Sequence, residues 1–153
     1  MTVKRNLIHA LLVLSLSALL AGCSGMLRDS NSLQQLSGSQ EVPPVSSAAS
    51  GTGDLLIGQD GSVTGGVVVS SMTATAAHIH LGAAGTNGPV IVPFTKVGAN
   101  RWAPTAGARL TAEQYRAYRL TAEQYRAYLA GNLYVNVHSD AYKGGEIRAQ
   151  LKP

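Results

Sequence analysis

The sequence predicts an all-β fold: a Greek-key antiparallel β-sandwich with one inserted, duplicated helix. Two observations predict the sandwich. From Leu33 onward, short apolar or β-branched runs are broken by Gly, Pro, Asn and Ser, which is how strands and tight turns are written in sequence. Within those runs apolar and polar residues alternate with a period of two, so one face is buried and the other is polar. A third observation predicts the helix: LTAEQYRAY at 110–118 recurs unchanged at 120–128.

Strands are expected near 33–42, 53–57, 62–70, 76–81, 90–94, 132–138 and 146–151, enough for two packed sheets. Turns fall at 59–61, 82–89 and 140–145, each with glycine where the backbone reverses. In 133–138, Leu133, Val135 and Val137 alternate with Tyr134, Asn136 and His138, which makes the second set a polar face. The last strand repeats this, with Ile147, Ala149 and Leu151 opposite Glu146, Arg148 and Gln150. Thr111 and Gln114 have capping-box spacing, so a helix is predicted from there until Gly131 stops it. Ten residues advance a helix by about 1000°, so the two copies face about 80° apart and cannot pack alike. The repeat reads as an elongated connector between strands or, alternatively, as a duplicated binding helix.

The chain has 153 residues, which fits one domain. At 45% hydrophobic and 13% charged it is too apolar for a disordered chain. Lys4 and Arg5 supply two of the net +4 charges, so the body after them carries +2 and has no basic cluster. Nucleic acid is therefore not an expected partner. No catalytic set stands out either. Ser70-Ser71 and Ser139-Asp140 are common turn neighbours, and 82–88 lacks the lysine of a phosphate loop.

The first 22 residues read as an export signal: Lys4 and Arg5, then an apolar run over 7–20, then small residues. That run is short for a membrane span, which takes about 20 residues. Leu20-Ala21-Gly22-Cys23 resembles the lipobox of bacterial lipoproteins, which implies that Cys23 is lipidated and becomes the mature N-terminus. The alternative is an ordinary signal with a cysteine by chance. Cys23 is the single cysteine, so it cannot form an internal disulfide. Lipidation would make the membrane a partner through Cys23, with 23–32 as a tether and 33–153 as the folded domain. By resemblance to lipoprotein sorting signals, Ser24 favours the outer membrane.

Three histidines remain beyond the signal. His78 and His80 sit two apart in Ala-His-Ile-His-Leu, and His138 ends Tyr-Val-Asn-Val-His. Residues two apart on a strand share a side at about 6.5–7 Å, which lets both imidazoles reach one ion. If the strand ending in His138 lies beside theirs, a third nitrogen joins them. Three neutral nitrogens suit copper best, with zinc as the alternative. Met72 and Glu146 are further conceivable ligands, although Met72 reads better as core packing. Asn136, Asp140 and Glu146 are candidate acceptors for imidazole N–H groups, or simply a solvated turn.

The strings Leu36-Ser37-Gly38-Ser39-Gln40-Glu41-Val42-Pro43-Pro44-Val45, Ala77-His78-Ile79-His80-Leu81-Gly82, Leu133 through Ser139 and Gly145 through Leu151 together resemble the CHRD domain, a module named for chordin and found in many exported bacterial proteins. The resemblance spans about 34–151 and implies a β-sandwich without a settled activity. The doubled segment departs from the single helix usual in that family. A more distant likeness is to copper-zinc superoxide dismutase, which would make His78, His80 and His138 copper ligands within an Ig-like or dismutase-like sandwich. No fourth bridging histidine and no cysteine pair accompany them. Three readings follow: a lipid-anchored metal-binding protein of the cell envelope, an interaction module that meets another envelope protein, and a copper-dependent oxidoreductase.

Overall fold

The computed structural model describes residues 33–105 and 119–153. Among them are ten strands and one helix: β1 Gln34–Ser37, β2 Ser50–Gly53, β3 Leu56–Ile57, β4 Val63–Thr64, β5 Val67–Ser70, β6 Ala74–Leu81, β7 Val90–Lys96, β8 Arg101–Pro104, α1 Ala122–Leu129, β9 Leu133–Ser139 and β10 Ile147–Leu151. Eight strands close antiparallel in the order β1-β10-β9-β6-β7-β8-β5-β2, and β3 and β4 form a separate two-stranded sheet. The all-β expectation holds. The two separate sheets do not, because β2 pairs with both β1 and β5 while β8 pairs with both β5 and β7, so hydrogen bonding runs round the whole circuit. Closure leaves none of these eight strands with an open edge.

Burial follows the two-residue alternation. Val67 and Val69 of β5, Ala77 and Ile79 of β6, Val92 and Phe94 of β7, and Leu133, Val135 and Val137 of β9 fill the interior. Met72 packs against this core from its edge, as its side chain suggested. The strand β8 was not foreseen. Its sequence Arg-Trp-Ala-Pro ends in a proline, which reads as a strand terminator, yet Trp102 is buried in the core.

The helix differs from the expectation in its start. Leu120 is buried against the core, and its N–H donates to Gly61 O at 2.8 Å. Thr121 is extended (φ −66°, ψ 164°) and caps α1, with Gln124 returning the bond, so the second repeat copy begins its own helix. The duplication repeats the capping residue types, Thr111 and Gln114, as Thr121 and Gln124. The first copy, with Thr111 and Gln114, lies outside the described residues, as do the signal segment and Cys23. No helix among the described residues is long and apolar enough to cross a membrane.

Ile79 is fully buried between His78 and His80. Ile79→Val should cost about 1 kcal/mol and Ile79→Ala about 2–5 kcal/mol, read from urea midpoints at unchanged slope.

Candidate metal centre

The register between β6 and β9 builds the site. Ala76 pairs with His138, His78 with Asn136 and His80 with Tyr134. Since Ala77, Ile79, Val135 and Val137 point inward, these six point outward on one face. A strand order that separated β6 from β9 would have kept the histidines apart. Instead the candidate ligand nitrogens of His78, His80 and His138 all lie within 4.8 Å of one another. His80 is buried, and His78 and His138 are half-buried.

Each ring is oriented by its hydrogen bonds. His80 Nδ1 lies 2.9 Å from Gly88 O, and His138 Nδ1 lies 2.9 Å from Lys143 O. Carbonyls only accept, so both rings carry their proton on Nδ1 and leave Nε2 bare. His78 Nδ1 is 3.1 Å from His138 Nε2, and with that Nε2 bare the shared proton belongs to His78. A cation taken up here replaces that proton, and His78 moves it to its other nitrogen or to solvent. His80 Nε2 is buried with no hydrogen-bond partner. A lone pair buried and unpaired among two other imidazoles is what a metal ligand looks like before its ion arrives. For bonds of about 2.0–2.1 Å the nitrogens must lie within about 4.2 Å, so the widest pair has to draw in by about half an ångström. The residues present therefore fit an ion held by three nitrogens.

Electrostatics keep the rings ready. Burial pushes His78 down to about 4, helped by the neighbouring His138 and His80. Burial also lowers His80, with Arg148 adding to the fall while Gly88 and Asn136 oppose it, and burial lowers His138 against its bond to Lys143. All three are held toward the neutral form that binds metal.

The surrounding face is a buried polar layer. Tyr134 stacks on His80 with centroids 4.7 Å apart and planes 7° apart, and the Arg148 guanidinium lies 3.4 Å from the Tyr134 centroid. Because β6 and β10 flank β9, His80 and Arg148 take opposite faces of that ring. Arg148, 1% exposed, donates to Thr86 O and Ala83 O and so holds the 82–88 loop whose Gly88 O orients His80. Glu41 is buried beside Asn136 and Arg148. Burial raises its carboxyl to about 7, against the lowering influence of Arg148, Asn136 and the Val42 N–H.

Of the residues singled out in the sequence, His78, His80, His138 and Asn136 share this face. Glu146 is buried but accepts from Ser47 Oγ at 2.5 Å. Asp140 is exposed in the 140–145 turn. The imidazole N–H groups of His80 and His138 meet backbone carbonyls instead. Glu41, Tyr134 and Arg148 were not singled out as site residues. Glu41 had a signal: it is the lone charged residue between Asp29 and Asp54.

The CHRD domain profile matches residues 33–151. The chain belongs to the CHRD domain family. The match takes in every residue of the site just described, including Glu41 at one end and Arg148 at the other. Searches of curated proteins and of solved structures returned no match.

Two titrations act on stability with opposite sign. The histidines, lowered in the folded state, contribute stability in full above about 6.5 and lose it as pH falls below that, His78 through about 4. Glu41, raised from 4.5 to about 7, contributes fully below 4.5 and loses that contribution as pH rises through 7. Glu41→Gln should therefore gain stability relative to wild type at pH 8 compared with pH 4.5, by about 2 kcal/mol in denaturant melts of metal-free protein. An equal effect at both pH values would contradict the raised carboxyl.

Proposed function

We propose that this CHRD-domain protein binds one metal ion, copper foremost, through His78, His80 and His138, and that it does so as an exported protein anchored to the membrane by lipid on Cys23. The observation that carries the metal reading is the bare, buried Nε2 of His80 facing two further imidazoles. Nothing apolar explains such a group, because an unpaired buried acceptor costs about 1–3 kcal/mol. A cation bound there converts the cost into a bond.

Copper is favoured over zinc by the donor set. Three neutral imidazoles with no thiolate or carboxylate exert no charge preference, and among divalent ions such nitrogen sites bind Cu(II) most tightly. The half-buried edge formed by His78 and His138 leaves the ion reachable from solvent. That suits storage, delivery or protection at the cell envelope. The anchoring part of the reading rests on Lys4, Arg5, the apolar run and the Leu-Ala-Gly-Cys string. Several acyl chains on one cysteine hold a protein to a bilayer where a single chain is marginal. The envelope-interaction reading keeps one supporting observation, the exposed Val68 and Val90 on barrel strands and the exposed Leu56 on the separate β3.

Calorimetric titration of the purified protein with Cu(II) should give one equivalent, and electron paramagnetic resonance should show nitrogen coordination. His138→Ala should weaken binding by about 100-fold or more. Binding unchanged by that substitution would retire the site. Copper at about 100 times its Kd should raise the unfolding free energy by about 2.7 kcal/mol. Palmitate labelling lost in Cys23→Ser would support the anchor, and labelling that persists would contradict it.

A further inference from the structure

Asn136 lies at the centre of the site's lattice. It is the cross-strand partner of His78, it stands two residues from His138 on β9, and it is diagonal to His80, whose own partner is Tyr134. It is 2% exposed. Its Nδ2 donates weakly to Gly144 O at 3.5 Å, and it faces Glu41, whose carboxyl the amide helps to keep ionised. Gly145 makes that meeting possible. A Cβ there would lie 2.6 Å from Asn136 Nδ2 and would also strike Glu41 Oε1.

With its nitrogen turned toward Glu41 and Gly144, the amide turns its oxygen the other way, toward His80. His80 keeps its proton on Nδ1, and both His80 Nε2 and Asn136 Oδ1 are buried without hydrogen-bond partners. Two buried acceptors on adjacent strands of one face are thus left unpaired. A cation held by both would turn two uncompensated buried acceptors into ligands.

We infer that Asn136 Oδ1 is the fourth donor to the metal held by His78, His80 and His138, so that the site is three nitrogens and one amide oxygen. Gly144 O holds the amide by its nitrogen, with the Glu41 carboxyl beside it, so that the oxygen is free to face the ion. This inference rests on the metal-binding reading and extends it to a residue outside the histidine set.

The test compares Cu(II) binding to the wild-type protein, Asn136→Asp and Asn136→Leu by calorimetry and by continuous-wave and pulsed electron paramagnetic resonance. Asn136→Leu should keep three coordinated nitrogens, weaken Cu(II) binding by about 10- to 100-fold and gain a coordinated water in deuterium-exchange spectra. Asn136→Asp keeps the shape and places a charged oxygen at the same point, so it should tighten binding and shift the copper hyperfine splitting. That shift is a readout a packing role would not produce, and it stands even if the leucine variant fails to fold. If wild type shows three nitrogens while Asn136→Asp leaves both affinity and spectrum unchanged, Asn136 is not a ligand and the three-histidine site survives alone. Absence of stoichiometric copper on wild type overturns both.

Discussion

Side chains on an antiparallel ladder have no freedom to choose their side: once register is set, every second residue faces the same way, and a slip of one residue inverts the whole set. The β6–β9 ladder is the place where this matters most. With Ala76 opposite His138 and His78 opposite Asn136, Ile79, Val135 and Val137 go to the core while His78, His80, Asn136 and His138 go to the outer face. The apolar set fixes the register, since any slip would put fully buried valines and isoleucine into water at about 1.5–3 kcal/mol each. The polar set inherits its positions from that choice. The stability of the barrel core and the geometry of the site are therefore consequences of one pairing.

The outer face of β9 and β10 is unusual for a strand exterior because it is nearly as buried as the interior. Tyr134, Asn136, Glu146 and Arg148 are at most 6% exposed, covered by the loops that precede β2, link β6 to β7 and link β9 to β10. A buried polar face is stable only if its groups find partners. Most do: Arg148 reaches four acceptors and Tyr134 accepts from Gly88 N–H. On this face Glu41 Oε1, His80 Nε2 and Asn136 Oδ1 do not, while Trp102 Nε1 is a buried donor without a partner elsewhere in the core. Unsatisfied groups scattered through a molecule read as imperfections. Acceptors clustered beside three imidazoles mark this face as the candidate site.

Much of this was legible in the sequence, for a physical reason. Strand alternation is a local property, so the inward and outward faces of β6, β9 and β10 could be read from adjacent residues, and His78, His80 and His138 with them. Strand order is not local. That β6 lies beside β9 across more than fifty residues, and that the ends of the sheet join into a barrel, depends on long-range pairing that no short pattern encodes. The same limit explains Glu41, which approaches Asn136 only because a distant loop folds over β10. It also explains why Glu146 and Asp140 attracted attention on proximity in sequence, while the imidazole protons go to Gly88 and Lys143 carbonyls, a choice made by loop paths rather than residue types. The helix start was misjudged for a different reason: a continuous helix through both repeat copies satisfied propensity, but burial of Leu120 against the core breaks the run and lets Thr121 cap anew.

The account turns on one point in space, where nitrogens of three rings from two neighbouring strands converge. Anomalous diffraction at the copper absorption edge from crystals of the copper-loaded protein measures that point directly. The account predicts a single strong peak about 2.0–2.1 Å from a ring nitrogen of each of His78, His80 and His138. A peak elsewhere on the barrel, or ordered imidazoles in their metal-free hydrogen bonds with no peak between them, would contradict it.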